Sequence, residues 1–143
     1  MKISGILSRK GSSSVVTTDP SVSVTQFLRM LAQHRIGAVV VVAGKRPVGI
    51  ISERDVVRRL AEAGASALDE PISQLMSTEL VTCTPEDALE DIAMLMTERR
   101  IRHLPVLVDG ELAGIVSIGD VVAARLQELE QTQAQLESYI THG

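Results

Sequence analysis

Slid on itself by 65 positions, the chain matches itself without a gap. Val16-Thr17-Thr18-Asp19-Pro20 falls on Val81-Thr82-Cys83-Thr84-Pro85, and Gly49-Ile50-Ile51-Ser52-Glu53-Arg54-Asp55-Val56-Val57 falls on Gly114-Ile115-Val116-Ser117-Ile118-Gly119-Asp120-Val121-Val122. Between these anchors Gln33 to Gly37 lies over Glu98 to Arg102, and the apolar run from Ala38 lies over the one from His103. Self-similarity of this kind marks a duplicated supersecondary unit, and it constrains the fold more than any composition figure. One such unit has a sheet face and helices too few to cover it, so two copies must complete a core together.

Pattern gives the elements of one copy. Pro20 and Pro85 fit the first turn of a helix, with Asp19 and Thr84 as cap candidates. Val24, Phe27, Leu28 and Leu31, and in the second copy Leu89, Ile92, Ala93 and Met96, recur at three and four, as on an amphipathic helix. The β-branched runs Val39–Val42 and Leu104–Val108 then read as strands, followed by turns at 43–45 and 109–111 and by short strands at 48–51 and 113–116. Asp109-Gly110 between two apolar runs is a hairpin signal. A second helix opens at Ser52 or Ser117. The expected architecture is an α+β (α/β) fold of two pseudo-symmetric βαββα units packed face to face, with an extended C-terminal helix. Residues 1–64 form the first repeat with its N-terminal lead-in, 65–126 the second, and 127–143 a helical tail. Pro71 to Met76 echoes Ile3 to Leu7, as though each copy had a short helical lead-in. In the tail Val122, Leu126, Leu129, Gln133, Leu136 and Ile140 are spaced four and three in alternation, the rhythm of a coiled-coil seam, which predicts packing against a second subunit.

Composition excludes several classes. With 143 residues, 45% of them apolar, the chain holds one compact domain or two small fused halves. Phe27 and Tyr139 are its aromatics, so Val, Ile, Leu, Met and Ala must fill the core, and the stacking platforms of single-strand binders are missing. Net charge is -4 with basic residues scattered, against nucleic acid as a partner. Cys83 is the lone cysteine, which excludes a disulfide framework and fits a reducing compartment. The segment 1–14 lacks a secretory apolar stretch, and the run 38–43 is far below the roughly 20 residues that span a bilayer. No membrane and a cytoplasmic location are the expectation.

Chemistry concentrates at Ser52-x-x-Asp55 and Ser117-x-x-Asp120, each closing a strand and opening a helix. Such a junction leaves backbone N–H groups and the positive helix end free, a seat for phosphate. The Asp carboxylate can accept from the two hydroxyls of a ribose. Arg54 adds a cation in the first copy; Ile118-Gly119 stands where the second would need one, although Arg99, Arg100, Arg102 and His103 lie near. The same spacing is also a capping box, a purely structural use. Arg99 and Arg100 complement a helix C-terminus in any case. Ser117, His103 and Asp120 can be drawn as a triad, but the repeat-mate Ser52 has no matching His. With no convincing nucleophile and base, no metal cluster and no glycine-rich dinucleotide fingerprint, an enzyme is not expected.

The doubled Gly-h-h-Ser-x-x-Asp segments resemble the signature of cystathionine-β-synthase (CBS) domains, which occur in tandem as a Bateman module. The resemblance runs from about Ile3 to about Leu126, and Arg102-His103-Leu104-Pro105-Val106 adds to it. It implies a non-catalytic regulatory module that needs no cofactor and binds an adenine nucleotide (AMP, ADP or ATP), NAD(H) or S-adenosylmethionine in clefts between the repeats. By that resemblance Ser52 and Asp55 serve one cleft, Ser117 and Asp120 the other. Ile50 and Ile115 touch the base, while Ile36, Gly37 and Ala38, and Ile101, Arg102 and His103, contribute from the partner strands. It further implies a homodimer that signals to an unidentified protein in trans. The rival expectation is a structural dimerisation module with vestigial clefts.

Overall fold

The computed structural model describes residues 1–11 and 15–142. Residues 12–14, the end of the segment read for a leader, and Gly143 lie outside that range. The elements are α1 (Ile3–Lys10), β1 (Thr17–Thr18), α2 (Val24–His34), β2 (Ala38–Ala43), β3 (Arg46–Ser52), α3 (Glu53–Ala63), α4 (Leu89–Arg99), β4 (His103–Val108), β5 (Glu111–Ser117) and α5 (Ile118–His142), with 3₁₀ turns at Gly64–Asp69 and Ile72–Gln74. Helix and strand are mixed, and the order β2-β3-α3 returns as β4-β5-α5.

Two units emerge, and neither is a continuous stretch of chain. One comprises Ser14–Val81 with Val108–Ala113; the other comprises Met1–Ser13, Thr82–Leu107 and Gly114–Gly143. The N-terminal lead-in thus groups with the second repeat, whereas the 70–81 segment groups with the first. Backbone hydrogen bonds show the reason. In the first-repeat unit the Val24 N–H donates to the Glu70 carbonyl, Ile72 to Val22, and Ser73 to Pro20. In the other unit Leu89 donates to Met1, Ile3 to Asp87, and Ser4 to Pro85. The two sets are equivalent bond for bond, so each repeat's helix N-terminus is satisfied by the other repeat's lead-in.

The cores repeat as faithfully. Val24, Phe27, Leu31, Val39, Val41, Ile51, Val56 and Ile72 form one buried cluster. Leu89, Ile92, Met96, Leu104, Val106, Val116, Val121 and Ile3 are buried at the equivalent positions of the other unit. Each such side chain contributes about 1.5–3 kcal/mol of transfer free energy when fully buried.

In the first-repeat unit the sheet order is β1-β2-β3. β1 runs parallel to β2 and β3 antiparallel to it, with Ala38 opposite Ser52 and a bulge between Val41 and Val42. The β4–β5 hairpin turns on Asp109 and Gly110, both at positive φ (52° and 79°), as the type I′ geometry signalled by Asp-Gly requires. The first strand expected of the second copy is reduced to one parallel bridge, Cys83 to Val106.

Two expectations about helix starts are corrected. Pro20 and Pro85 are not in the first helical turns, and Asp19 and Thr84 are not the caps. The Asp19 carboxylate accepts from the Ser21 N–H and hydroxyl at 2.8 and 2.6 Å, closing an Asx-type turn one step earlier. α2 instead starts with a reciprocal Ser23–Gln26 capping box. Thr84 and Asp87 close the matching turn, and α4 is capped from Ala88, which carries no capping side chain. Both α2 and α4 end on an arginine in the left-handed region, Arg35 and Arg100, each at φ 54°.

Candidate functional site

In each repeat one strand hands over directly to a helix, and the Ser-x-x-Asp segment sits on that junction. Ser52 is the N-cap of α3, which places Glu53, Arg54 and Asp55 in its first turn. The Asp55 carboxylate folds back: its Oδ2 accepts from the Ser52 N–H at 2.8 Å and from the Ser52 hydroxyl at 3.1 Å. At α5 the Asp120 Oδ2 accepts from the Ser117 N–H at 2.9 Å, and the Asp120 N–H donates to Ser117 Oγ at 3.1 Å. The capping use of the motif is therefore present in both copies. In each carboxylate it occupies Oδ2, and Oδ1 of Asp55 and of Asp120 has no hydrogen bond among the described residues.

The partner strands reach the same corners. The Gly37 carbonyl accepts from the Glu53 N–H at 3.0 Å, and the Arg102 carbonyl accepts from the Ile118 N–H at 2.8 Å. This brings Gly37 and Ala38 beside Ser52 and Asp55, with Ile50 two residues back on β3, half-buried. Ile36 precedes them, half-buried as well. In the second repeat Arg102 stands beside Ser117 and Asp120, flanked by Ile101 and His103, while Ile115 lies on β5. Each repeat thus gathers its own expected residues.

The structure adds a residue that sequence reasoning missed. Lys10, the last residue of α1, places its ammonium 2.9 Å from Asp120 Oδ2 and 3.0 Å from the Ile115 carbonyl. α1 is held against this corner by Leu7, which lies over Gly114, and by an Arg9–Gln127 hydrogen bond. A Cβ on Gly114 would come within 2.6 Å of a Leu7 methyl, so any larger residue there would make the Leu7 side chain shift. The cation absent from the first turn of α5 is thereby supplied from a position 110 residues away in sequence. Burial pushes the Asp120 carboxyl up. The hydrogen bonds from Lys10 and from Ser117, together with the Lys10 charge, outweigh that and hold it below the ordinary carboxylate range.

The first repeat differs at the same place. Met76 lies over Gly49 as Leu7 lies over Gly114, so the counterpart of Lys10, three residues further on, is Glu79. The Ile50 carbonyl, counterpart of Ile115, accepts from the Ser77 N–H at 2.9 Å. Arg54 is exposed and forms no ion pair among the described residues, and the Glu53 carboxylate lies over Gly37. The two corners are alike in backbone and opposite in lead-in charge. As for a triad, Asp120 is bonded to the Ser117 N–H and to Lys10, and the Ser117 hydroxyl is taken up as a cap.

Comparison with known proteins matches this arrangement. The CBS domain family covers residues 3–62 and 72–127. The CBS domain-containing protein CBSX3, mitochondrial, of Arabidopsis thaliana is 38% identical over 151 aligned positions, spanning 99% of this chain and 72% of that protein. The CBS-domain containing protein ATU1752 of Agrobacterium tumefaciens superposes with a TM-score of 0.84 at 42% identity, covering 87% of this chain and 99% of its own. The CBS domain pair of protein MJ0100, solved with 5′-methylthioadenosine and S-adenosyl-L-methionine, shares the fold at a TM-score of 0.79 and 22% identity, covering 90% of this chain and 98% of its own.

Proposed function

The chain belongs to the CBS-domain family, and from that premise we propose that it is a non-catalytic regulatory module that takes an adenosine-bearing ligand at its Ser-x-x-Asp corners. The observation that carries this reading is that Oδ1 of Asp55 and of Asp120 has no hydrogen bond among the described residues, while each carboxylate is held in place through Oδ2 by its own cap. A carboxylate fixed on one oxygen and open on the other is preorganised to accept a ribose hydroxyl. CBS pairs are regulatory, ligand-binding modules, and the MJ0100 pair was solved with two adenosyl compounds. Ser52, Asp55, Ile50, Ile36, Gly37 and Ala38 serve one site, with Arg54 at its edge. Ser117, Asp120, Ile115, Ile101, Arg102 and His103 serve the other.

Lys10 makes the second corner the better seat for a phosphate-bearing ligand such as AMP, ADP or ATP, because the ammonium can swing from Asp120 to the incoming anion. The first corner, with Glu53 in the first turn of α3 and no counterpart of Lys10 in its lead-in sequence, suits a ligand of less negative charge, as S-adenosylmethionine is. Ligand binding then shifts a conformational equilibrium that a protein partner reads in trans. A cytoplasmic setting belongs to the same reading and rests on Cys83, a lone thiol that is buried.

One observation favours the rival, a structural module with vestigial sites: the capping boxes give both Asp carboxylates a structural role through Oδ2. A thermal-shift titration with AMP, ADP, ATP, NADH, S-adenosylmethionine and GTP separates the two, with Asp55→Ala and Asp120→Ala each scored against its own baseline. The proposal expects a dose-dependent rise for an adenosyl ligand that one or both substitutions abolish. A flat response to all six ligands supports the rival.

A further inference from the structure

The two lead-ins are equivalent up to one point and then part. Ile3 and Ile72 are both wholly buried, the Ser4 and Ser73 N–H groups donate to the Pro85 and Pro20 carbonyls, and Leu7 and Met76 lie over Gly114 and Gly49. The next pair is Ser8 and Ser77. Ser77 forms an isolated antiparallel bridge to β3: its N–H donates to the Ile50 carbonyl at 2.9 Å, and its carbonyl accepts from the Ile50 N–H at 3.0 Å. Ser8 is still inside helix α1, and no bridge joins it to Ile115 among the described residues. There the Ile115 carbonyl accepts from the Lys10 ammonium instead, at 3.0 Å. A side-chain donor that is also paired with Asp120 thus stands where the first-repeat unit has a pair of backbone bonds.

We infer that the end of α1 is a two-state element. With Lys10 latched on Asp120 it is helical; with Lys10 drawn off by a phosphate it unwinds, and Ser8 pairs with Ile115 as Ser77 pairs with Ile50. The trigger rests on the proposed role of the second corner as a seat for a phosphate-bearing adenosine ligand, and the unwinding is how occupancy there is reported. The helix is built to give way. It is eight residues long, too short to stand by itself in water, and Gly5 inside it weakens it further. Its buried residues, Ile3 and Ile6, lie in the first half. Residues 8–10 are exposed, and this end is held through Leu7, the Arg9–Gln127 hydrogen bond and Lys10. The chain also has slack, since four more residues separate Ser8 from Val16 than separate Ser77 from Val81. Unwinding takes Arg9 away from Gln127 and so alters the exposed surface of α1 and α5, which a partner protein can read.

Nuclear magnetic resonance on the isotope-labelled full chain distinguishes the two states. Helical Cα shifts at Ser8, Arg9 and Lys10 mark the latched form; extended shifts, with an amide–amide cross-peak between Ser8 and Ile115, mark the bridged one. Lys10→Met is first compared with wild type in the absence of ligand. Methionine and lysine have like helix propensities, so the substitution removes the latch and leaves the helix otherwise as it was. The ratio of bridged to helical form should rise about fivefold. Adding Ser8→Ala, which puts a better helix former at an exposed position, should lower that ratio about twofold. ATP added to wild type should move the shifts in the same direction as Lys10→Met. Helical shifts retained in Lys10→Met would overturn the switch whatever ATP does. ATP that binds by calorimetry yet leaves α1 helical would overturn the coupling while leaving the adenosine reading intact. Absence of ATP binding would overturn the phosphate-ligand role of this corner and the trigger with it, the switch itself being decided separately by Lys10→Met.

Discussion

Replacing Lys10 by Met keeps the aliphatic stem of the side chain and removes the ammonium that joins α1 to the α5 corner. The ion pair with Asp120 and the hydrogen bond to Ile115 are both lost. The ion pair with Asp120 is partly exposed, 37% and 23% on the two side chains, so solvent screening holds its worth to about 0.5 kcal/mol. The hydrogen bond to the Ile115 carbonyl adds about 0.5–1 kcal/mol. A total near 1 kcal/mol lowers the melting temperature of a domain this size by about 3 °C. The effect carries a pH signature. Asp120 has its folded pKa held below the unfolded value, net of a burial effect that acts the other way. Its contribution is therefore fully present above the ordinary carboxylate pKa of about 4 and is lost as pH falls through the lower folded value. The gap between wild type and Lys10→Met should hold steady from about pH 7 to about pH 5 and narrow below about pH 4. Differential scanning calorimetry across that range reads it. Equal melting temperatures at neutral pH, or a gap that does not narrow in acid, would refute the linkage of α1 to Asp120.

Other consequences are equally direct. Gly49→Ala should destabilise by about 1–3 kcal/mol in urea titration, because its Cβ would come within 2.6 Å of Met76 Sδ and 3.1 Å of the Ser77 carbonyl. Phe27→Ala should cost about 3–5 kcal/mol, since Phe27 is wholly buried in a core that has no other aromatic ring to shift into the space. Burial, with Asp87 adding to it, pushes the Cys83 thiol up to about 11, so iodoacetamide at neutral pH should label it only after denaturation; rapid labelling of the folded protein would contradict that burial.

How much of this was legible in the sequence depends on the separation of the residues involved. The hairpin at Asp109-Gly110, the strand-to-helix handover at Ser52 and Ser117, and the eight paired core positions are local or repeat-borne signals, and pattern reads such signals well. The helix starts fall later than the prolines suggest because Pro20 and Pro85 satisfy a turn as readily as a helix. The Ser23–Gln26 capping box that does start α2 is itself a local sequence signal. The exchange of lead-ins was hidden for a different reason. The echo between Ile3–Leu7 and Pro71–Met76 is plain, but sequence does not say which repeat each one serves, since that is decided by backbone bonds such as Leu89 to Met1 and Val24 to Glu70. Lys10 escaped with it: a cation on a short N-terminal helix carries no local mark of the carboxylate it meets.

The central claim is that the Ser-x-x-Asp corners hold an adenosine ligand through the open carboxylate oxygens. Isothermal titration calorimetry of AMP, ATP and S-adenosylmethionine into wild type, Asp55→Ala, Asp120→Ala and the double variant tests it most directly. The account predicts saturable binding of at least one ligand to wild type, weaker or absent in one single variant and abolished in the double variant. Binding to the double variant with wild-type affinity, or no binding of any of the three to wild type, would contradict it.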